Sequence, residues 1–275
     1  QFGAGIDLDA AKPAFAVRRA SKVGATYIAW SPDSESISWS VGAEFKTANI
    51  NTLMNGDYAT PATGNNLSMQ VAHAIPNTAV ALTNARVITM NDERAVIENA
   101  TVLIKGNRIE SIARGTAVPE DYTEIDLAGK TIMPGIIDAH AHGPYAGDDI
   151  IPQQNWNLLA HLALGVTTVH NPSSSAKSAF AAAEYARTDR ILGPRIFSTG
   201  EIVYGAKSTS WAPIDNLDDA LAHVRRLAAQ GAISVKNYNQ PRREQRQQVI
   251  EAARQEGLIS VAEGGSLYQL DMSMI

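Results

Sequence analysis

The sequence contains no cysteine among its 275 residues. Disulfide bonds, thiolate metal sites and a cysteine nucleophile are therefore excluded, while the redox compartment stays open. Charged residues make up only 19% of the chain, and the net charge of -5 is the opposite of the basic face that nucleic-acid binding needs. No apolar run approaches the roughly eighteen residues of a membrane span. A glycine-rich phosphate loop and a Gly-x-Ser-x-Gly nucleophile elbow are absent as well.

What remains is a chain with enough apolar material to fold. Hydrophobic residues make up 45%, which excludes a disordered tail and allows a substantial core. The length predicts one large domain or two ordinary ones. Three regions that differ in composition and in the spacing of apolar residues follow one another along the chain.

The first region, residues 1–47, is predicted to be β-structure. Tyr27–Trp30 and Ser36–Val41 alternate apolar and polar residues with period two, as half-buried strands do. Ser31–Glu35 between them has the composition of a turn. The string Trp30-Ser31-Pro32-Asp33 with its second strand resembles a blade of TolB-like β-propellers. An ordinary hairpin of another β-domain remains the alternative.

Residues 48–79 show no period and are predicted to be a linker. Residues 80–130 return to strands, predicted at Ala81–Thr89, Val96–Lys105 and Arg108–Ala113. Turn residues separate these strands, so the sequence predicts a small meander.

From residue 131 onward, strand-like and helix-like segments alternate. Strands are predicted at 131–138, 165–170, 195–199, 233–235 and 258–261, and helices at 153–163, 175–187, 217–230 and from Pro241 to Gly257. Such alternation with short connections indicates an α/β fold with a parallel sheet covered by helices. Periodicity alone leaves an open sheet and a barrel as alternatives.

The segment Pro134–Gly143 contains the clearest chemical motif. Alternate residues of a strand share a face, so Asp138, His140 and His142 are predicted to point the same way. Two imidazoles one pleat apart can bind one metal ion, and a neighbouring carboxylate can fix their orientation. A strand ending here would bring both histidines to the carboxyl-terminal rim of the sheet, where α/β proteins build their sites.

Asp126–Gly135 running into Asp138-Ala139-His140-Ala141-His142 resembles the metal-dependent amidohydrolase superfamily. It is most similar to the imidazolonepropionase and prolidase-like branch, which includes members fused behind a TolB-like propeller. The resemblance implies an incomplete (β/α)8 barrel in residues 131–275 and a small β-sandwich in residues 80–130. It also implies one or two divalent metal ions, with zinc favoured.

The resemblance assigns metal ligands to four residues of this chain. His140 and His142 match the ligands of the first strand. Lys236 falls at the end of the fourth strand, where many relatives carry a lysine, often carbamylated, that bridges two metals. Glu263 ends the fifth strand, where a histidine is the commoner ligand, and this departure puts the metal count and identity in doubt.

Two further residues are expected beside the metal. Asp138 would orient the ligands, and His170 at the end of the second strand would support them or contact the substrate. Tyr204 and Tyr238 are weaker candidates for substrate contacts. The superfamily's late histidine and its general-base aspartate would lie beyond Ile275, so no catalytic residue is assigned within the chain.

We therefore expect the sequence to be an internal stretch of a longer protein, inactive or weakly active by itself. Open edges of a partial barrel favour association into homo-oligomers. A TolB-like blade favours an extracytoplasmic, periplasmic or secreted bacterial location.

The sequence predicts a hydrolase of carbon–nitrogen bonds in small amides, cyclic amides or peptide-like molecules, acting through a metal-activated water. The alternative is a binding or scaffold protein in which the propeller recognises a partner and the barrel is a relict, a reading that the Glu263 departure supports. A deaminase on the same scaffold is a third possibility, but that branch normally lacks the lysine at position 236.

Overall fold

A computed structural model describes residues 13–56, 64–143, 145–146, 150–206 and 212–263. Within these residues the chain forms an antiparallel sheet, then a mixed sheet, and then parallel strands that alternate with helices. None of the helices in this part of the chain has the length and apolar character that a bilayer crossing requires.

The amino-terminal sheet has four antiparallel strands, in the order β1-β2-β3-β4. Its elements are β1 (Thr26–Trp30), β2 (Ser36–Val41), β3 (Glu44–Asn49), α1 (Ile50–Met54) and β4 (Asn65–Asn66). Trp39, 2% exposed, lies in the core between this sheet and α1. The predicted hairpin is present, but residues 48–79 are not wholly irregular, because α1 and β4 lie within them.

The second sheet is mixed and has five strands, with β5 at its centre. Its strands are β5 (Ala79–Ile88), β6 (Val96–Lys105), β7 (Arg108–Arg114), β8 (Thr123–Asp126) and β9 (Thr131–Ile132). The first three form the antiparallel meander that the sequence predicts, and β8 and β9 pair in parallel with β5. The described residues of this region form one sheet rather than two packed sheets.

In the described residues that come after β9, five parallel strands and four helices follow. The strands are β10 (Ile136–Asp138), β11 (Val166–Asn171), β12 (Arg195–Ser198), β13 (Ser234–Tyr238) and β14 (Ile259–Glu263), and the helices are α2 (Trp156–Ala163), α3 (Ala176–Arg187), α4 (Leu217–Gln230) and α5 (Arg243–Gln255). The predicted alternation, and with it a mixed α/β fold, is confirmed.

These five strands lie in two sheets, β10-β11-β12 and β13-β14. A parallel bridge between Val203 and Asn237 connects the segment after β12 to β13. The amide of Val203 donates to the carbonyl of Lys236 at 2.8 Å, and the amide of Tyr238 donates back to Val203 at 3.1 Å. The strands thus follow one another in sequence order, while a closed barrel remains a prediction.

The strand predicted at residues 131–138 is in fact two strands. β9 belongs to the mixed sheet, where Thr131 and Ile132 pair with β5, whereas β10 pairs with β11. Between them Gly135 lies against Thr167, so closely that an added Cβ would be 2.1 Å from the threonine Oγ1. Only glycine fits there, because the Cβ of Thr167 would itself be 2.7 Å away.

Helix boundaries agree with the sequence where capping residues are clear. α4 ends at Gly231, whose φ of 110° is the left-handed conformation expected there. Pro241, expected to open the last helix, lies outside it, since α5 begins at Arg243 with Arg242 as its N-cap. The Arg242 backbone amide donates to the side chain of Gln245 at 3.0 Å, which displaces the start of the helix by two residues.

Candidate functional site

His140 and His142 follow β10 directly and do not lie within it, so the prediction of a continuous strand was wrong here. The strand ends at Asp138, whose Oδ1 accepts a hydrogen bond from the backbone amide of His140 at 3.0 Å. Asp commonly turns the chain in this way by bonding the backbone two residues on. The two imidazoles still lie together, with ring centroids 5.0 Å apart.

Lys236 and Glu263 come from neighbouring parallel strands. Tyr238 is opposite Glu263 in the register of β13 and β14, and the Lys236 side chain reaches forward to the glutamate. The Lys236 ammonium donates a hydrogen bond to Glu263 Oε2. This hydrogen bond, together with the positive charge, lowers the pKa of Glu263 below its ordinary value. The lysine side chain is only 2% exposed, so the glutamate supplies its counterion in a largely dry position.

Glu263 also connects the two halves of the candidate site. Its Oε2 lies 3.5 Å from Nε2 of His140, so one carboxylate oxygen faces both the lysine and the histidine. Four residues from three segments are thereby joined: His142 to His140, His140 to Glu263, and Glu263 to Lys236. The structure brings together all four residues that the sequence nominates as metal ligands.

Within the described residues, no three His, Asp or Glu side chains are arranged closely enough to hold a metal ion as they stand. The chemistry of the donors nevertheless fits a divalent ion of borderline hardness. Imidazole nitrogens and a carboxylate oxygen are the ligands that zinc takes in sites without cysteine. The Lys236 ammonium provides a positive charge next to Glu263.

His170, in β11, is directed toward this cluster. Its Nε2 is 2.8 Å from the Ser234 hydroxyl and its Nδ1 is 3.3 Å from the carbonyl of Ala139. Burial lowers the pKa of His170, which favours the neutral imidazole. Ser234 was not singled out from the sequence, and its position as a polar residue at the start of an apolar strand is the signal that could have identified it.

Tyr238 lies next to Lys236, and Tyr204 lies next to Tyr238. The Lys236 ammonium is 5.6 Å from the centroid of the Tyr238 ring, and Tyr204 meets that ring edge to face at 6.1 Å. Tyr204 belongs to the segment that Val203 attaches to β13. These weaker candidates for substrate contacts therefore lie beside the site.

Two glutamine amides, Gln240 half-buried and Gln245 buried, hold the segment after β12 in place. Gln240 accepts from the Gly205 amide at 2.7 Å and donates to the Val203 carbonyl at 2.7 Å. Gln245 donates to the carbonyls of Gly205 and Ile214, each at 2.8 Å. Sequence reasoning missed both glutamines, because polar residues near the start of a helix ordinarily face solvent.

No protein-family model matches the chain. An imidazolonepropionase from Arthrobacter sp. (strain FB24) is 38% identical over 64 residues, which are 23% of this chain and 16% of that protein. A 5-methylthioadenosine/S-adenosylhomocysteine deaminase from Bacillus thuringiensis (strain Al Hakam) is 30% identical over 77 residues, covering 26% of this chain and 18% of the relative. The matched segments thus span less than a fifth of these relatives' length.

Solved structures extend the likeness to the fold. Phenylurea hydrolase B matches with a TM-score of 0.57 and 20% identity, over 71% of this chain and 57% of that one. A Xaa-Pro dipeptidase with bound methionine in its active site matches with a TM-score of 0.53 and 22% identity, over 68% and 57%. A short part of the sequence is thus similar to the imidazolonepropionase and the deaminase, and the fold is similar to that of the two solved hydrolases.

Proposed function

We propose that this chain carries part of the active site of a metal-dependent hydrolase of carbon–nitrogen bonds. The observation that carries the proposal is the meeting of His140, Lys236 and Glu263, which come from three separate strand ends. The names of the relatives support the same class, since an imidazolonepropionase, a deaminase and a Xaa-Pro dipeptidase are among them.

His140, His142 and Glu263 would hold the metal, with Lys236 as a further ligand. A zinc or similar divalent ion there would supply Lewis-acid chemistry, lowering the pKa of water and polarising the bond to be cleaved. Asp138 fixes the backbone of His140 through its hydrogen bond and so orients the first imidazole. Glu263 is shared between the histidine and the lysine, which makes it the residue on which the geometry of the cluster depends.

Lys236 enters this proposal in two forms. As an ammonium it pairs with Glu263, as the structure shows. As a carbamate it would become an oxygen ligand with a negative charge, which a hard or borderline metal prefers. The carbamate forms when a neutral amine adds to carbon dioxide and releases a proton, so the Lys236 ammonium must first lose a proton and separate from Glu263.

The proposal names the bond that is cleaved, a carbon–nitrogen bond, and no particular substrate. Small amides, cyclic amides and peptide-like molecules all present a carbon–nitrogen bond to such a site, and hydrolytic deamination breaks one as well. Fold does not fix the substrate. No proton transfer is assigned to a residue of this chain.

Metal content tests the proposal directly. Elemental mass spectrometry on the purified chain, reconstituted with zinc and then desalted, should find one to two equivalents of metal. The double variant His140→Ala/His142→Ala should lose that metal. His73→Ala/His161→Ala is the matched control, because it also removes two imidazoles, and neither of them contacts the cluster in the described structure. This control should retain the wild-type metal content.

Two results would contradict the proposal: a wild-type chain without metal after reconstitution, or a His140→Ala/His142→Ala variant that binds as much as wild type. Carbamylation is tested separately. Wild-type protein with zinc and ¹³C-bicarbonate should show a carbamate ¹³C resonance that Lys236→Met lacks. Its absence would leave Lys236 as a partner of Glu263 only.

A further inference from the structure

We propose that His170 is a positioning residue that sets the place of His140 relative to the strand bearing Lys236. This role rests on the proposed function, because it concerns the geometry of the same candidate ligands. His170 does not touch them itself; it bonds to Ala139, just after β10, and to Ser234 in β13, and these two strands belong to different sheets.

On one side His170 holds the chain just before and just after His140. Its Nδ1 lies 3.3 Å from the carbonyl oxygen of Ala139. Its own backbone carbonyl accepts from the amide of Ala141 at 3.0 Å. Because β10 has already ended at Asp138, these two bonds continue the attachment of the segment to β11 where regular pairing has stopped.

On the other side His170 reaches β13. Its Nε2 lies 2.8 Å from the hydroxyl of Ser234, which is only 1% exposed. Ser234 precedes Lys236 by two residues, so both side chains leave the strand on the same face. One imidazole therefore spans the distance between the backbone at His140 and the face that presents Lys236.

The partners fix the position of the ring proton. A carbonyl oxygen can only accept, so Nδ1 must carry the proton that is donated to Ala139. In a neutral ring Nε2 is then an acceptor, and the Ser234 hydroxyl donates to it. Burial, which lowers the pKa of His170, favours this neutral form. A doubly protonated ring would keep the Nδ1 bond and donate from Nε2 to the Ser234 oxygen instead, so the bridge needs a proton on Nδ1 in either form.

The experiment combines zinc affinity with a direct measurement of the tautomer. Zinc dissociation constants are obtained by competition with a chromophoric chelator for wild type, His170→Phe, His170→Asn and Ser234→Ala. Phenylalanine keeps an aromatic ring but cannot form the hydrogen bonds to Ala139 and Ser234. Asparagine keeps an N–H donor close to the position of Nδ1. We expect His170→Phe to weaken zinc binding about 10-fold or more, as loss of groups that orient metal ligands commonly does. His170→Asn and Ser234→Ala should fall between His170→Phe and wild type.

A general loss of stability would not produce this pattern, and Val169→Ala provides the control. Val169 is 1% exposed in the same strand, so its truncation lowers the melting temperature without removing a bond to Ala139 or Ser234. Val169→Ala should keep the wild-type zinc affinity, whereas His170→Phe should lose affinity at an equal or smaller drop in melting temperature. ¹⁵N spectra of the metal-free wild type should show His170 protonated at Nδ1 and bare at Nε2.

Three outcomes overturn the role of His170. They are an Nε2–H tautomer, zinc affinity in His170→Phe equal to wild type, or an equal loss of affinity in Val169→Ala. In each of these cases the wild type still binds zinc, so the proposed function stands. A wild-type chain that binds no zinc overturns the proposed function and this role together.

Discussion

The Lys236 ammonium and the Glu263 carboxylate form an ion pair whose two members differ sharply in their access to water. The lysine side chain is 2% exposed, whereas the glutamate side chain is 37% exposed. A buried charge that loses its partner cannot be rehydrated, whereas a charge at the surface can. The two residues therefore contribute unequally to the stability of the metal-free chain.

We expect Glu263→Ala to destabilise the chain more than Lys236→Met. Glu263→Ala leaves a buried ammonium without its counterion and should lower the free energy of unfolding by about 3 kcal/mol. Lys236→Met leaves a carboxylate that can turn to solvent, and the methionine fills the space of the lysine stem, so its cost should be about 1 kcal/mol. Urea unfolding followed by circular dichroism measures both, and the reverse order of stabilities would contradict the expectation.

His223 should make the stability of the chain depend on pH. The residue is buried in α4, where its Nε2 donates to the Ala212 carbonyl at 3.1 Å and its Nδ1 faces the Arg226 guanidinium at 3.4 Å. Burial, with the charge of Arg226 as a second cause, lowers the pKa of His223 to about 4. Arg19 acts in the same direction and Asp219 opposes it.

Because the pKa of histidine in an unfolded chain is about 6.5, the unfolded state takes up the proton first as the pH falls. The contribution of His223 is therefore complete above pH 6.5 and is lost progressively toward pH 4, by about 3 kcal/mol in all. His223→Gln can still donate to Ala212 but does not titrate. The difference in melting temperature between wild type and His223→Gln should shift in favour of the variant as the pH falls from 7.5 to 4.5. Parallel curves would show that His223 is not responsible.

Gln245 and Gln248 offer a matched pair of substitutions on α5. Gln245 is 2% exposed, donates to two carbonyls and accepts from the amide of Arg242. Gln248, in contrast, buries an Oε1 that has no hydrogen-bond partner in the described part of the chain. Gln245→Met should lower the free energy of unfolding by about 2 kcal/mol, because the Gly205 and Ile214 carbonyls each lose one of their donors and the Arg242 amide loses its acceptor.

Gln248→Met should be neutral or stabilising, because it removes a buried acceptor that is unsatisfied. Chemical denaturation of the two variants side by side checks both expectations. Hydrogen exchange adds a local measurement, since the amide of Ile214, which donates to Gly205 at 3.3 Å, should exchange faster in Gln245→Met. Equal effects of the two substitutions would contradict the assignment of the network.

The extent of α4 could be predicted because all of its signals are local. Apolar residues recur with helical spacing, Asp218 and Asp219 lie in its first turn, and Gly231 follows its last residue. The split between β9 and β10 could not be predicted in this way. It depends on pairing of residues 131–132 with β5, more than forty positions earlier in the chain.

The candidate site could be predicted only in part from physical reasoning. The carboxyl ends of parallel strands build the sites of α/β proteins, which indicated His140 and His142. Lys236 and Glu263 were nominated through the resemblance to a known family. The bridge from His170 to Ser234 joins residues 64 positions apart through side chains alone. No periodicity in the sequence predicts such a contact, and it is seen only in the three-dimensional structure.

The short interval between β9 and β10 has a consequence for how the chain unfolds. Met133, Pro134 and Gly135 are all that separates a strand of the mixed sheet from the strand that leads to His140. A connection of three residues is too short for one sheet to open while the other stays folded. Gly135 within it also packs closely against Thr167. Residues 79–142 should therefore behave as one cooperative unit. A ligand that bound the histidines would then protect amides as distant as the β5–β6 ladder from exchange with solvent.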